Sequence, residues 1–377
     1  MSPRFRTALS HSADSCRGRS PGQRRLGWAI CLSLSLSIIA SVPSAAHASA
    51  GTITEYSIPT AKSFPDGIVA GPDGNLWFAE RIAGKIGRIT TDGSITEFPL
   101  QSRTSQPLAL TVGPDGDIWF TEFGANKIGK ITLAGVITEF AVPTANSAPH
   151  GITSGPDGNL WFTELHANKI GRVSVTGDFA EFRVPTAGSY PSIITMGPDS
   201  RIWFAEWKAN KIGRVTLNGR ITELATPTAG SAPHGITPGQ DGNLWFVEFG
   251  ASRIGKVSTA GSFTEYVVPT NDGKPAFIAE GADGNLWFTE YNADKIGMIT
   301  TAGAITEFSL PGVGGAEPPS PLVPFCTFGH PSARVIPPGW PTCSGPSCPI
   351  GIAAGPDNNL WFTEFRGNKI GRITTSD

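Results

Sequence analysis

This 377-residue sequence has few charged residues and no excess of basic ones. Lysine and arginine total 29 against 31 acidic residues, and charged residues make up 16% of the chain. Six of the arginines lie in the first 50 residues, which leaves 23 basic and 30 acidic residues beyond them and a net charge of about −7. Because nucleic acids and anionic membranes attract basic surfaces, we expect neither as a partner.

Long hydrophobic runs are lacking after the N-terminus. The one apolar run, Leu26–Val42, is short for a membrane span. It follows four arginines between residues 17 and 25 and precedes small-residue sites that end at Ala48 and Ala50. This order is typical of a secretory signal. We predict a leader over residues 1–50, cleaved after Ala48 or Ala50, and a secreted, periplasmic or cell-envelope protein; the alternative is an uncleaved membrane anchor.

Cysteine is scarce. Of five cysteines, Cys16 and Cys31 fall in the predicted leader, and Cys326, Cys343 and Cys348 remain. An exported protein meets an oxidising compartment, so we expect one disulfide among the three and one cysteine left over. The sequence contains no Cys-x-x-Cys pair, which argues against a cysteine-based metal site.

The motifs of common catalytic sites are absent as well. The sequence shows no Ser-His-Asp or Cys-His arrangement, no glycine-rich phosphate loop and no metal-ligand spacing. Function therefore has to be sought in the way the fold brings separate residues together.

Glycine and proline, in contrast, are abundant, and a long motif repeats. The stretch Gly155-Pro-Asp-Gly-Asn-Leu-Trp-Phe-Thr-Glu164, followed by Ala167-Asn-Lys-Ile-Gly-Arg172, recurs seven times. Its marker tryptophans are Trp77, Trp119, Trp161, Trp203, Trp245, Trp287 and Trp361. The first six are 42 residues apart, and the last gap of 74 contains an insertion of 32 residues. Each period contains four strand-like pieces, which indicates an all-β, seven-bladed β-propeller of four-stranded antiparallel blades.

The ring is predicted to close through its N-terminus. Seven outer-strand motifs occur, from Ile53–Tyr56 to Ile305–Phe308, but the last repeat ends without one. We therefore expect Ile53–Tyr56 to pair with Lys369–Ile373 and complete a single domain over residues 51–377. Closure removes exposed sheet edges, so we expect a monomer.

The insertion, residues 311–349, contains proline, glycine and all three remaining cysteines. A long loop of this kind on a rigid scaffold is either a functional lid or a passive excursion.

Three sets of residues are predicted to meet at one face, where the first strand of each blade starts and the second ends. The first set is a glutamate that ends each second strand. A lysine or arginine follows each glutamate five residues later, and we expect the two to form seven structural ion pairs. These glutamates are Glu80, Glu122, Glu164, Glu206, Glu248, Glu290 and Glu364. The alternative role is metal binding, for which Glu164, Glu248 and Glu364 are the candidates.

The second set follows those glutamates and is mostly aromatic. Trp207, Phe249 and Tyr291 are candidate ligand-binding residues that would stack on a sugar or a cyclic peptide; the alternative is packing between loops. The third set follows the proline that begins each blade and varies from blade to blade. It includes Asp66, a further ligand-binding candidate, and two candidate bases or metal ligands, His150 and His234. We expect any site near these histidines, Glu164 and Glu248, partly covered by the insertion.

These motifs, together with Ser147-Ala-Pro-His-Gly-Ile-Thr153, resemble the streptogramin B lyases, also called virginiamycin B lyases. The resemblance covers residues 51–377 except the insertion. It implies a seven-bladed propeller that opens a cyclic depsipeptide ester by elimination, with a histidine base and Mg²⁺.

The resemblance also assigns positions for the family's active-site residues. The base histidine falls on Ile350, the second histidine on Ala276, a glutamate on Cys348 and a tyrosine on Asp66, while Glu364 is retained. The missing histidines favour a secreted ligand-binding or scaffold propeller for a small molecule, cyclic peptide or glycan. The alternatives are a lyase that opens a cyclic (depsi)peptide ester with Mg²⁺, and a lactonase-like metal hydrolase.

Overall fold

The computed structural model of the protein describes residues 50–311, 343 and 345–375. In this part of the chain, 28 β-strands form seven four-stranded antiparallel sheets. None of its segments is a helix long and apolar enough to cross a membrane. The predicted leader up to residue 49, most of the predicted insertion, and Cys326 lie outside the described residues.

Each blade begins with an inner strand that starts at a proline. The inner strands are β2 (Pro65–Ala70), β6 (Pro107–Val112), β10 (Pro149–Ser154), β14 (Pro191–Met196), β18 (Pro233–Pro238), β22 (Pro275–Glu280) and β26 (Pro349–Ala354). The second strands, which carry the tryptophans, are β3 (Leu76–Glu80), β7 (Ile118–Glu122), β11 (Leu160–Glu164), β15 (Ile202–Glu206), β19 (Leu244–Glu248), β23 (Leu286–Glu290) and β27 (Leu360–Glu364).

The two remaining strands complete each blade towards its outer edge. The third strands are β4 (Lys85–Ile89), β8 (Lys127–Ile131), β12 (Lys169–Val173), β16 (Lys211–Val215), β20 (Arg253–Val257), β24 (Lys295–Ile299) and β28 (Lys369–Ile373). The outer strands are β5 (Ile95–Pro99), β9 (Ile137–Ala141), β13 (Phe179–Arg183), β17 (Ile221–Ala225), β21 (Phe263–Val267), β25 (Ile305–Ser309) and β1 (Ile53–Ser57).

The last of these outer strands comes from the start of the domain. β1 pairs antiparallel with β28, from Ile53 opposite Ile373 to Ser57 opposite Lys369. The ring of seven blades and its closure by the N-terminal strand are therefore as the sequence predicts.

The core lies in the layers between neighbouring blades. All seven marker tryptophans are at most 1% exposed, and Trp161 packs against Ile194 and Phe204 of the next blade. The indole Nε1 of Trp161 donates to Asp157 in the Pro-Asp-Gly turn at 3.1 Å, and the same bond recurs in the other six blades. The turn thus satisfies the polar atom of a side chain that is otherwise buried in apolar packing.

Candidate functional site

The residues that follow the seven leading prolines close the central axis at one face. They are Asp66, Leu108, His150, Ser192, His234, Ala276 and Ile350, and each is buried. Five of them, with Arg81 and Phe277 among others, line a cavity of only about 20 Å³. This is roughly the space that one water molecule needs. The cavity at this end of the axis therefore has room for little more than one water molecule.

Two histidines from different blades meet in this cluster. The ring centroids of His150 and His234 are 5.7 Å apart, with the rings nearly perpendicular. Nδ1 of His234 hydrogen-bonds the Ala276 carbonyl oxygen at 2.8 Å. They are two blades apart in the chain and were predicted to share one sector of this face; convergence of the inner strands on the axis brings them into direct contact.

Burial keeps both imidazoles neutral near pH 7. It lowers the pKa of His234 to about 4, and it lowers the pKa of His150 well below its usual value, with a further contribution from the neighbouring His234. A neutral imidazole is the form that accepts a proton or binds a metal.

Asp66, a predicted ligand-binding residue, is paired with Arg81. The two side chains form a buried ion pair at 3.4 Å. Burial raises the pKa of Asp66 to about 6, although Arg81 acts in the opposite direction. The Arg81 guanidinium also lies 5.6 Å from the ring centre of Phe123. Asp66 and Arg81 therefore neutralise each other beside the histidines.

Three of the five aromatic residues that follow the strand-end glutamates are covered by the end of the insertion. Phe249, Tyr291 and Phe365 are at most 3% exposed and form an apolar cluster with Ile350 and the Cys343–Cys348 disulfide. This is the single disulfide that the cysteine count predicts, and Cys326 lies outside the described residues.

Hydrogen bonds hold the end of the insertion against this face. The backbone N–H of Cys348 donates to Asp294 Oδ1 at 2.7 Å, and Arg366 donates to the Cys343 carbonyl oxygen at 3.0 Å. The described end of the insertion, residues 343 and 345–349, therefore packs against this face, and we call it the covering segment.

Elsewhere on this face, aromatic side chains remain partly exposed to solvent. Trp207 is half-buried, 5.0 Å from Phe249 and 5.4 Å from His234 by ring centroids. Phe123, the exposed His166 and Tyr190 continue this surface, with successive ring centroids 5.7 and 6.2 Å apart. The Lys208 ammonium lies 5.2 Å from the ring centre of Tyr190. We call these five residues, Phe123, His166, Tyr190, Trp207 and Lys208, the open aromatic sector.

Sequence reasoning missed three members of this sector. His166 lies two residues after the strand-end Glu164, and Tyr190 directly precedes the leading Pro191. Both positions belong to the loops that were predicted to meet at this face, and extending the search one residue along each loop would have found them together with Lys208.

The predicted ion pairs of the strand-end glutamates are wrong. The partner of Lys169 is not Glu164 but the outer-strand Glu181, with Nζ 2.7 Å from Oε2, and Thr144 accepts a second bond from the amine. The lysine lies on β12 between the two glutamates, and its amine reaches outward. The same pairing recurs as Lys85–Glu97, Lys127–Glu139, Lys211–Glu223, Arg253–Glu265, Lys295–Glu307 and Lys369–Glu55.

The strand-end glutamates are left buried without that countercharge. All seven are fully buried. Burial, reinforced by the charge of the nearby outer-strand glutamate, raises the pKa of Glu164 to about 7 and that of Glu206 to about 8. Each of these carboxyl groups therefore changes between its protonated and ionised forms near neutral pH.

The candidate metal ligands do not assemble into a metal site. Glu164, Glu248 and Glu364 belong to three different blades, each within its own buried network. Among the residues that the structure describes, no three histidine, cysteine, aspartate or glutamate side chains are grouped so that they could hold a metal ion. Mg²⁺ prefers several oxygen ligands in near-octahedral geometry, so this donor set does not fit it.

The chain matches one protein family over most of its length. The model of the Virginiamycin B lyase family matches residues 45–160 and 104–320. A streptogramin B lyase structure is 36% identical, with a TM-score of 0.74 over 86% of this chain and 97% of that one. Virginiamycin B lyase from Staphylococcus aureus is 38% identical, with a TM-score of 0.74 over 86% and 99%. A catalytically inactive histidine-to-alanine variant of that enzyme, solved with quinupristin, gives the same values.

Proposed function

Because this chain belongs to the virginiamycin B lyase family, we propose that it is an exported propeller that binds a ring-bearing ligand, such as a cyclic peptide, without opening an ester. In this function, the face that carries Ile350, Ala276 and the open aromatic sector binds the ligand and does not act as a catalytic centre.

The observation that carries this proposal is the apolar filling of the positions where the family's histidines fall. Ile350 and Ala276 are 4% and 1% exposed and pack in one cluster with the Cys343–Cys348 disulfide. Elimination at an ester needs a base within hydrogen-bond reach of the proton that is removed. Neither side chain can accept a proton, and both lie in one apolar cluster with Cys343 and Cys348.

The open aromatic sector supports the binding half of the proposal. Trp207, Phe123 and Tyr190 are only partly buried, and the exposed Lys208 adds a positive charge. Aromatic side chains of this kind bury the flat apolar parts of a ring-bearing ligand, while the charged group orients its polar part.

A lyase with a rearranged site is the second candidate. The observation in its favour is the contact between His150 and His234, two neutral imidazoles at the family's face. One of them would have to remove the proton, because Ile350 cannot. The cavity beside them admits little more than one water molecule, so this candidate requires the cluster to open. A lactonase-like hydrolase would need a metal site that the donor set does not fit.

We expect the mature protein to leave quinupristin cyclic. Elimination gives a linear product of unchanged mass, whereas hydrolysis of the ester adds one water, so liquid chromatography with mass spectrometry separates the two reactions. A linear product of unchanged mass that is lost in His150→Ala or His234→Ala, and kept in Asp178→Asn, a change of an exposed residue on the opposite face, would establish the second candidate. A product with one added water would instead establish a hydrolase.

Binding without cleavage is expected to depend on Trp207. Removing its ring by Trp207→Ala should weaken quinupristin binding about fivefold, since a stacked aromatic pair contributes about 1 kcal/mol. Trp207→Phe keeps an aromatic face and should bind nearly as the wild type does. Calorimetry measures all three. Equal affinity of Trp207→Ala and wild type would remove the open aromatic sector as the binding surface.

A further inference from the structure

A second, larger cavity lies inside the ring next to the small one described above, with which it shares Ala109, Ile193 and Phe277 in its lining. It has a volume of about 420 Å³ and is lined by residues of all seven inner strands, among them Ile152, Thr195 and Ala279. The lining includes the last residues of three inner strands, so the cavity reaches the face opposite to the covered one. We call it the central channel. Its volume falls in the range of small-molecule sites, roughly 300–1,000 Å³.

One charged residue, Glu280, stands in the lining of this channel. It is the last residue of β22, and the other six blades have an uncharged residue at this position: Ala70, Val112, Ser154, Met196, Pro238 and Ala354. Its Oε1 is buried and has no hydrogen-bond partner in the described part of the chain, while its carboxylate interacts with Gln240. A buried carboxylate oxygen in this state costs free energy unless a cation or donor compensates it.

The protein supplies no such countercharge among its described residues. The nearby Asp241 adds negative charge, which reinforces the effect of burial in raising the pKa of Glu280. Lys256 is already paired with Asp241, with its Nζ 3.6 Å from Oδ2 of that carboxylate. Glu280 therefore offers a carboxylate that Gln240 hydrogen-bonds but that has no cationic partner among the described residues, at one end of a channel lined mostly by aliphatic residues.

We propose that the central channel binds a small organic cation, in which an apolar body lies between the inner strands and a protonated amine contacts Glu280. The apolar walls favour an apolar ligand body, because removing apolar surface from water lowers the free energy. The single carboxylate accounts for a single positive charge. The ligand enters from the face opposite to the open aromatic sector, so this inference does not depend on the function proposed there.

The test uses benzylamine as the probe on the full mature protein. Calorimetry should show wild-type binding at least tenfold tighter than that of Glu280→Gln, which keeps the size of the side chain and removes its charge. Asp178→Asn is the matched control, because Asp178 is exposed on the β12–β13 turn at the same face and carries the same charge. Benzyl alcohol, which has the same ring without the ammonium, should bind at least tenfold more weakly than benzylamine.

Two methionines of the propeller report independently on where benzylamine binds. Met196 ends β14 at the position that Glu280 holds in β22 and is 42% exposed, whereas Met298 is packed between blades. With ¹³C-methyl methionine, benzylamine should shift the Met196 signal and leave that of Met298 unchanged. This comparison, with benzyl alcohol alongside, decides the matter even if Glu280→Gln does not fold.

Three results would overturn the proposal. They are the absence of wild-type binding at millimolar benzylamine, equal binding of benzyl alcohol, or equal loss of affinity in Glu280→Gln and Asp178→Asn. The last result would mean that the general negative field of the face attracts the amine, without a site in the channel.

Discussion

A propeller domain that lacks residues 51–58 is expected to lose most or all of its cooperative unfolding transition. These residues supply the whole outer strand of the last blade, and β1 pairs with β28 along five residues. Tyr56 stacks on Trp361 with ring centroids 5.6 Å apart, and Ile58 is buried in the layer between the last and first blades. Burial of Ile58 contributes about 1.5–3 kcal/mol, and the half-buried Tyr56 and the strand pairing add to it, so the loss is a large part of the net stability of many domains.

The repeat itself provides a matched control for this deletion. Residues 135–142, Gly-Val-Ile-Thr-Glu-Phe-Ala-Val, carry the outer strand of another blade and align residue by residue with 51–58. A chain in which this segment replaces residues 51–58 should melt close to wild type in differential scanning calorimetry. If the deleted chain melts like the wild type, β1 does not hold the ring closed.

The second large effect is expected in the pH dependence of stability. The strand-end glutamates have pKa values raised from 4.5 to about 7 or 8 in the folded state, with burial as the main cause. The unfolded chain ionises them at lower pH, so their contribution to stability is complete below about pH 4.5 and is lost as the pH rises through 7 to 8. Each site contributes on the order of 3 kcal/mol, so the melting temperature should fall clearly between pH 6.5 and 9.

Two variants in one blade test the cause of this fall. Glu164→Gln imitates the protonated carboxyl, so it should reduce the loss of stability at pH 9. Glu181→Gln removes the carboxylate that pairs with Lys169, whose hydrogen bonds lower the pKa of Glu181 against the effect of burial. It should destabilise the protein at pH 8, where Glu181 is charged in wild type. A melting temperature that is constant or rises from pH 6.5 to 9 would contradict the assignment.

Acid conditions are expected to act through the histidines. Burial lowers the pKa of His234 to about 4, so the folded state resists a proton that the unfolded chain accepts near pH 6.5. This contribution is complete above about pH 6.5 and is lost as the pH falls towards 4. The two ranges overlap between about pH 4.5 and 6.5, where seven glutamates outweigh two histidines, so stability should be greatest near pH 4.5.

The sequence predicts the fold well because the fold is repeated. Seven copies of one strand pattern indicate the number of blades, and a spare outer strand at one end with a missing one at the other indicates how the ring closes. The same repetition cannot choose between two possible partners of one side chain. Lys169 has a glutamate on each neighbouring strand, and only the direction of its side chain decides for Glu181.

The site was harder to predict because its contacts cross between blades. His150 and His234 are separated by two repeats, and their contact depends on how closely the inner strands approach the axis. The covering of Phe249, Tyr291 and Phe365 depends on the end of an insertion that belongs to no repeat. The channel residue Glu280 differs from its counterparts in other blades, but its importance appears only when the cavity is seen.

The closure of the ring also constrains the order in which the protein can fold. The hydrogen bond from Thr52 to Thr374 joins residues 322 positions apart, so β1 has no partner until β28 has been synthesised. The six blades between them are each made of consecutive strands and can form as they emerge. Contacts between such distant residues are slow to form because a long loop has to close first. The rate at which the native state appears should thus be limited by the meeting of the two chain ends, and a stalled nascent chain would hold several finished blades and one unpaired strand.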